Sequence, residues 1–171
     1  AQGHGMTKGN SPNMFEFAAG LKALVGECQD LRAVIGHSMG AASTSYAIAN
    51  GLAIPRFISM GSPAVAADIL HDFCDTINAT YQLADAIRER CLKEFGVTFE
   101  SVSMEQTIRS VNCPVLAIHG DEDKDAGIQH LHQLKAAKPS IQTYIAKGLG
   151  HRRILKDPVV MDKVFEFING Q

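Results

Sequence analysis

Short apolar runs alternate with helical spacings along this chain. Behind Ser11-Pro12, a helix-start signal, Phe17, Leu21, Leu24, Val25 and Cys28 recur every three or four residues and predict a helix. Leu31 to Ile35 is a short apolar run with β-branched members, the pattern of a buried strand. The small residues of AASTSYAIANG read as a helix stopped by Gly51, and Phe57 to Met60 as a second buried strand closed by Gly61-Ser62-Pro63. Residues 64–109 keep helical spacing throughout, first with Leu70, Phe73 and Ile77, then with Tyr81, Leu83, Ile87, Cys91 and Phe95 before a break at Gly96. Past Pro114 the alternation resumes. Val115 to Ile118 is a strand, Ala126 to Ala137 a helix, Ile141 to Ile145 a strand, and Asp157-Pro158 opens a helix with Val160, Val164, Phe165 and Ile168 on one face. Strands alternating with helices predict an α/β fold with a mostly parallel sheet, in one domain that carries a helical insertion at 64–110.

Composition narrows the function classes. Hydrophobic residues make up 46% of the 171 and charged residues 20%, within the ordinary globular range. A net charge of -2, with Arg152-Arg153 the only adjacent basic pair, gives nothing to follow a phosphate backbone, so no nucleic-acid partner is expected. Ala33 to Pro55 lacks Lys, Arg, Asp and Glu, but His37, Ser38, Ser43, Thr44, Ser45, Asn50 and three glycines interrupt it. That composition fits a buried strand and helix rather than a membrane span. Cys28, Cys74, Cys91 and Cys113 show no CxxC or tight spacing and read as reduced residues of a cytoplasmic protein.

Within the uncharged stretch stands Gly36-His37-Ser38-Met39-Gly40. A G-x-S-x-G segment between an apolar strand and a small-residue helix is the setting of a nucleophile elbow. There a strained turn pushes the serine hydroxyl into the open above a helix N-terminus. The expectation is that a Cβ at Gly36 or Gly40 would collide with neighbouring backbone. A serine needs a histidine to take its proton and a carboxylate to orient that histidine. The loop after the third strand offers His119-Gly-Asp-Glu-Asp-Lys-Asp125, and the loop after the fourth offers Lys147-Gly-Leu-Gly-His151. Among the seven histidines His151 is best placed as base, since a Gly-rich loop at a strand end can present it. His119 reads as a structural neighbour of the acidic loop, His130 and His132 as solvated helix residues. Asp121, Asp123 and Asp125 alternate like the start of a calcium loop, but Ala126 and His132 stand where that loop needs Gly and Glu. Asp125 also reads as N-cap of the helix from Ala126.

In order, GHSMG, PVLAIHGDED and KGLGHRRIL resemble the elbow, acid loop and histidine loop of the α/β-hydrolase superfamily. The resemblance implies that fold, with Ser38 as nucleophile, Asp123 as acid, His151 as base and the Met39 N–H as oxyanion donor. It implies no metal and no organic cofactor. Lys124-Asp-Ala-Gly follows Asp123 where the family has Val-Pro, so Asp125 stays the alternative acid. Residues 64–110 resemble the family's helical cap, with Phe73, Ile77, Tyr81, Leu83 and Ile87 as candidate pocket or packing residues. Arg152 and Arg153 are candidates for an anionic group or, more simply, for salt bridges.

The opening Ala1-Gln-Gly-His-Gly-Met-Thr7 resembles the family's GHG loop after strand four, which implies that the earlier strands and a second oxyanion donor lie outside this chain. The strand at 31–35 would then be an exposed edge, open to self-association or to a retained N-terminal fragment. The implied function is hydrolysis of a small ester, thioester or lactone. The alternatives are a non-catalytic ligand-binding relative, or other triad chemistry such as carbon–carbon bond hydrolysis.

Overall fold

The computed structural model describes residues 13–170. The opening Ala1–Thr7 loop and the Ser11-Pro12 signal lie outside the described residues. Helix α1 (Met14–Glu27) begins at Asn13, whose side-chain oxygen accepts from the N–H groups of Phe15 and Glu16 at 3.0 Å each. The cap supplies acceptors for two helix donors that otherwise have none.

Four parallel strands follow: β1 (Val34–His37), β2 (Phe57–Met60), β3 (Val115–Gly120) and β4 (Gln142–Ala146), in spatial order β1-β2-β3-β4. Val34 pairs with Phe57, Phe57 with Val115, and Leu116 with Gln142. β1 lies later than the 31–35 expected from hydrophobicity. Leu31 and Ala33 still pack against the two cores, but the ladder with β2 starts only at Val34, whose N–H donates to Arg56 O.

Strands β2 and β3 are buried along their whole length, as a continuous apolar run requires of inner parallel strands. Alternate side chains serve opposite faces. Phe57, Val115 and Ala117 join the core beneath α1, α2 (Met39–Ala49) and α6 (Gln129–Ala137). Ile58, Met60, Leu116 and Ile118 join the core beneath α7 (Pro158–Asn169). Helices on both faces of a parallel sheet follow from this two-sided burial.

Helix α2 is built of small residues and buries three hydroxyl side chains, Ser43, Thr44 and Ser45. Ser43 Oγ donates to Met39 O, Thr44 Oγ1 to Gly40 O, and Ser45 Oγ pairs with Thr107 Oγ1, each at 2.8 Å. With their hydroxyls satisfied, these small residues let the helix lie close to the sheet. Asn50 caps it and Gly51 turns left-handed behind it at φ 92°.

Between β2 and β3 the described chain forms α3 (Ala66–Thr76), α4 (Gln82–Phe95), α5 (Met104–Thr107) and a 3-10 turn over Ile108–Ser110. Gly96 ends α4 at φ 68°. Leu70, Cys74 and Ala84 pack the first two of these helices together.

Three expectations need correction. On α7 it is Phe167, not Phe165, that enters the core; Phe165 is 61% exposed. The buried face of α7 runs Val160, Val164, Phe167, at steps of four and three. Helix α6 starts at Gln129 rather than Ala126, and Asp125 does not cap it, because Asp123 Oδ1 takes the N–H groups of Asp125 and Ala126 at 2.9 Å each into a turn of its own. His130, expected at the surface, is wholly buried, its Nδ1 donating to Gln133 Oε1 at 2.9 Å. The four cysteines are unpaired. No helix among the described residues is long and apolar enough to cross a membrane.

Candidate active site

All four strands point their C-terminal ends the same way, and the candidate residues sit at those ends. Ser38 follows β1, Gly61 follows β2, Asp123 lies in the loop after β3 and His151 in the loop after β4. In an open parallel sheet this is the edge where loops converge on a ligand.

Ser38 has φ 53° and ψ −124°, and Asn78 is the only other non-glycine with positive φ among the described residues. A side chain in that conformation is strained, which the ladder enforces: Ser38 N donates to Met60 O at 3.0 Å while Ser38 O already accepts from Ala41 N at 3.0 Å. Strand pairing on one side and the first turn of α2 on the other leave no room to relax. Gly36 is required here, since a Cβ would stand 2.5 Å from Ala41 Cα and 2.7 Å from Ala41 N. Gly40 is not required in that way. A Cβ there, in the first turn of α2, would meet nothing within 4 Å outside its own helix backbone. Met39 opens the helix, so its N–H has no intrahelical acceptor.

Asp123 is 7% exposed overall. Its Oδ1 holds the two backbone N–H groups of its own turn, and its Oδ2 accepts from His151 Nδ1 at 2.7 Å. The carboxylate accepts, so His151 donates to it from Nδ1. Asp125 makes no side-chain contact with His151; the carboxylate that the structure brings to the histidine is Asp123. Ser38 follows β1 and His151 lies in the loop after β4, strands at opposite ends of the sheet order, and no hydrogen bond joins the serine hydroxyl to the ring among the described residues.

Several supporting residues carry no sequence motif of their own. Gly61, at φ 55°, lies under the pair: a Cβ there would be 3.2 Å from His151 Nδ1 and 3.3 Å from Asp123 Oδ2. Gly120 lets the His151 loop touch the end of β3, since a Cβ would overlap Leu149 O. Asp121 Oδ1 accepts from Gly148 N at 2.7 Å, with Lys147 Nζ 3.2 Å from Oδ2. That amide, and secondarily Lys147, hold the Asp121 carboxyl below the usual aspartate pKa. His119 is 1% exposed; its Nε2 donates to Ala126 O and stands 3.5 Å from Asp123 Oδ2. Burial keeps its pKa below the usual imidazole value. The HG pair at 119–120 and the glycines of the two loops were the signals that could have exposed this scaffold.

A cavity of about 530 Å³ opens beside Ser38 and Met39, walled mainly by Phe15, Ile69, Ile87, Phe95, Phe99 and Met104. Of the candidate pocket residues only Ile87 lines it. Phe73, Ile77 and Tyr81 are instead 46%, 49% and 53% exposed, because α3 and α4 bury their Leu70, Cys74 and Ala84 faces against each other. Phe15 reaches the cavity from α1 and meets Phe95 of α4 at a ring separation of 4.3 Å. Arg152 and Arg153 form no ion pair among the described residues, contrary to the salt-bridge expectation.

This architecture is the α/β-hydrolase fold. Solved structures with it include an esterase domain from Rhodothermus marinus, similar over 92% of this chain at 18% identity and a TM-score of 0.63. A bromoperoxidase from Bacillus anthracis is similar over 99% at 16% identity and a TM-score of 0.70. A serine hydrolase involved in carbazole degradation is similar over 94% at 17% identity and a TM-score of 0.64. The chain spans 66%, 79% and 74% of their respective lengths. No protein-family model and no curated protein matches the chain.

Proposed function

We propose that the chain is the triad-bearing part of a serine hydrolase that cleaves a small ester, thioester or lactone through an acyl-enzyme. The observation that supports this best is the 2.7 Å bond between His151 Nδ1 and the buried Asp123, at the same C-terminal edge of the sheet as a serine held at φ 53°. Ser38 Oγ attacks the acyl carbon as His151 Nε2 takes its proton. The new O–C bond pushes the carbonyl electrons onto oxygen, where the Met39 N–H donates to the charge. Collapse expels the alcohol or thiol, which receives the proton from His151. Water, deprotonated by the same nitrogen, then releases the acid and restores Ser38. Asp123 fixes the tautomer throughout.

The cavity narrows the substrate. Its walls are chiefly aromatic and aliphatic, and its size suits a compact apolar group rather than a long polymer. Residues 64–110 act as the cap that roofs it, through Ile87, Phe95, Phe99 and Met104.

The test is labelling by a fluorophosphonate probe with intact-mass readout, beside a panel of acyl esters of increasing chain length. The wild type takes one label at Ser38, and Ser38→Ala takes none. Asp123→Asn lowers turnover by about 10⁴, the loss known for the analogous serine-protease change, while Asp125→Asn leaves it nearly intact. An unlabelled wild-type protein would favour a ligand-binding relative.

A further inference from the structure

His37, the residue between Gly36 and Ser38, is unexplained by the elbow itself, where its position accepts any side chain. In this fold it has a definite task. Its Nε2 lies 2.9 Å from the backbone oxygen of His151, and its ring centroid lies 4.5 Å from the His151 ring, tilted by 50°. A carbonyl only accepts, so His37 is the donor and carries its proton on Nε2. The half-buried ring is thereby bolted between β1 and the loop after β4, two strands that are not neighbours in the sheet.

We propose that His37 is the positioning residue that sets the His151 backbone and ring plane relative to Ser38. This rests on the triad reading given above. Other anchors hold the loop: Asp121 to Gly148 N and Lys147, Glu122 N to Leu149 O, and Asp123 to the His151 ring, with Leu149 O close against Gly120. These tie His151 to the end of β3 and the loop after it, the acid's side. Among the described residues, only the His37 bond ties it to the serine's strand. The pair Asp123–His151 can therefore form without His37, yet its distance to the nucleophile would be free to drift. Partial burial beside the His151 ring keeps the His37 pKa below the usual imidazole value, consistent with a neutral donor packed against that ring.

The geometry separates two parts of the contact. His37→Phe keeps a ring against His151 and removes the donor. His37→Gln loses the ring contact but returns an amide N–H at a similar reach. In the phosphonate-labelling and ester assays, His37→Phe lowers kcat and the labelling rate by about 10- to 100-fold with KM little changed, as an ångström-scale misplacement of a base would. His37→Gln recovers most of that loss. The low-field proton resonance of His151 Nδ1–H, which reports its bond to Asp123, persists in both variants, since that bond does not depend on His37. Hydrogen exchange of the amides at 148–151 quickens in His37→Phe and not in His37→Gln.

Equal labelling rates for wild type and His37→Phe, with unchanged exchange at 148–151, would overturn the proposal while leaving the triad reading intact. A wild type that takes no label at Ser38 would instead defeat the triad reading. In that event the exchange difference between the two variants still decides whether His37 holds the loop.

Discussion

At the residue scale, the two elbow glycines look equivalent in sequence and differ in the fold. Gly36 has no space for a Cβ, because the obstacles at 2.5 and 2.7 Å are backbone atoms of Ala41 that cannot swing aside. Gly40 sits in the first turn of α2 with open space around its Cβ position. Gly36→Ala therefore lowers stability by about 1–3 kcal/mol or more, the usual range for forced overpacking, and also shifts Ser38. Gly40→Ala is neutral or stabilising by up to about 1 kcal/mol through helix propensity. Denaturant midpoints of the two variants, measured side by side, check the contrast. The candidate residues Ser38, Asp123 and His151 could be picked out one by one, since each sits in a local motif. The supporting residues were not. Gly61 and His37 act through partners 90 and 114 positions away along the chain (61 to 151, 37 to 151), and no local spacing encodes such a contact.

At the element scale, legibility followed burial. Strands β2 and β3, apolar on both faces, were read nearly to their ends, whereas β1 was misplaced because its last residues, Gly36 and His37, are neither apolar nor β-branched. Of the candidate pocket or packing residues, Leu83 and Ile87 do pack against the α3–α4 cluster, whereas Phe73, Ile77 and Tyr81 are exposed, for a related reason. Both helices carry apolar side chains on more than one face, and the pattern alone does not say which face meets its neighbour. The loop between β3 and α6 was misread at Asp125, since Asp123 outcompetes it for the local N–H groups.

Two histidines, His119 in β3 and His37 at the end of β1, give the fold a pH response. His119 and His37 both have pKa values held below 6.5 mainly by burial, so the unfolded chain binds protons that the folded chain does not. Their contribution is complete above the unfolded value of 6.5 and is lost as pH falls from there through the depressed folded values. Stability accordingly falls on acidification below about 6.5, before most carboxylates titrate. In His119→Gln, which can still donate to Ala126 O but cannot titrate, urea midpoints between pH 6.5 and 5 fall less than in the wild type. Equal slopes for both proteins would mean that His119 carries none of the response.

At the scale of the whole molecule, the sheet ends unequally. Val34 N and Ser38 N both donate toward β2, so by alternation the N–H and C=O groups of Ile35 and His37 point the other way, where no backbone partner stands among the described residues. Ile35 on that same edge is 51% exposed. A flat strand edge with an exposed Ile and no charge of its own invites pairing with another strand. We propose that the 171-residue chain, studied alone, covers this edge with a second copy, β1 against β1 across a two-fold axis, since each copy offers the same free groups. Light scattering coupled to size exclusion then gives a mass near twice 18.4 kDa that falls on dilution. Ile35→Lys, which places a charge where two copies would meet, restores the single-chain mass without changing the far-ultraviolet circular dichroism. A wild-type chain that stays at 18.4 kDa at every concentration would rule this pairing out. Pairing there would also hold the last residue of β1, and with it the His37 bond to the His151 loop, so the ester turnover per chain should rise with concentration in the wild type and stay flat in Ile35→Lys.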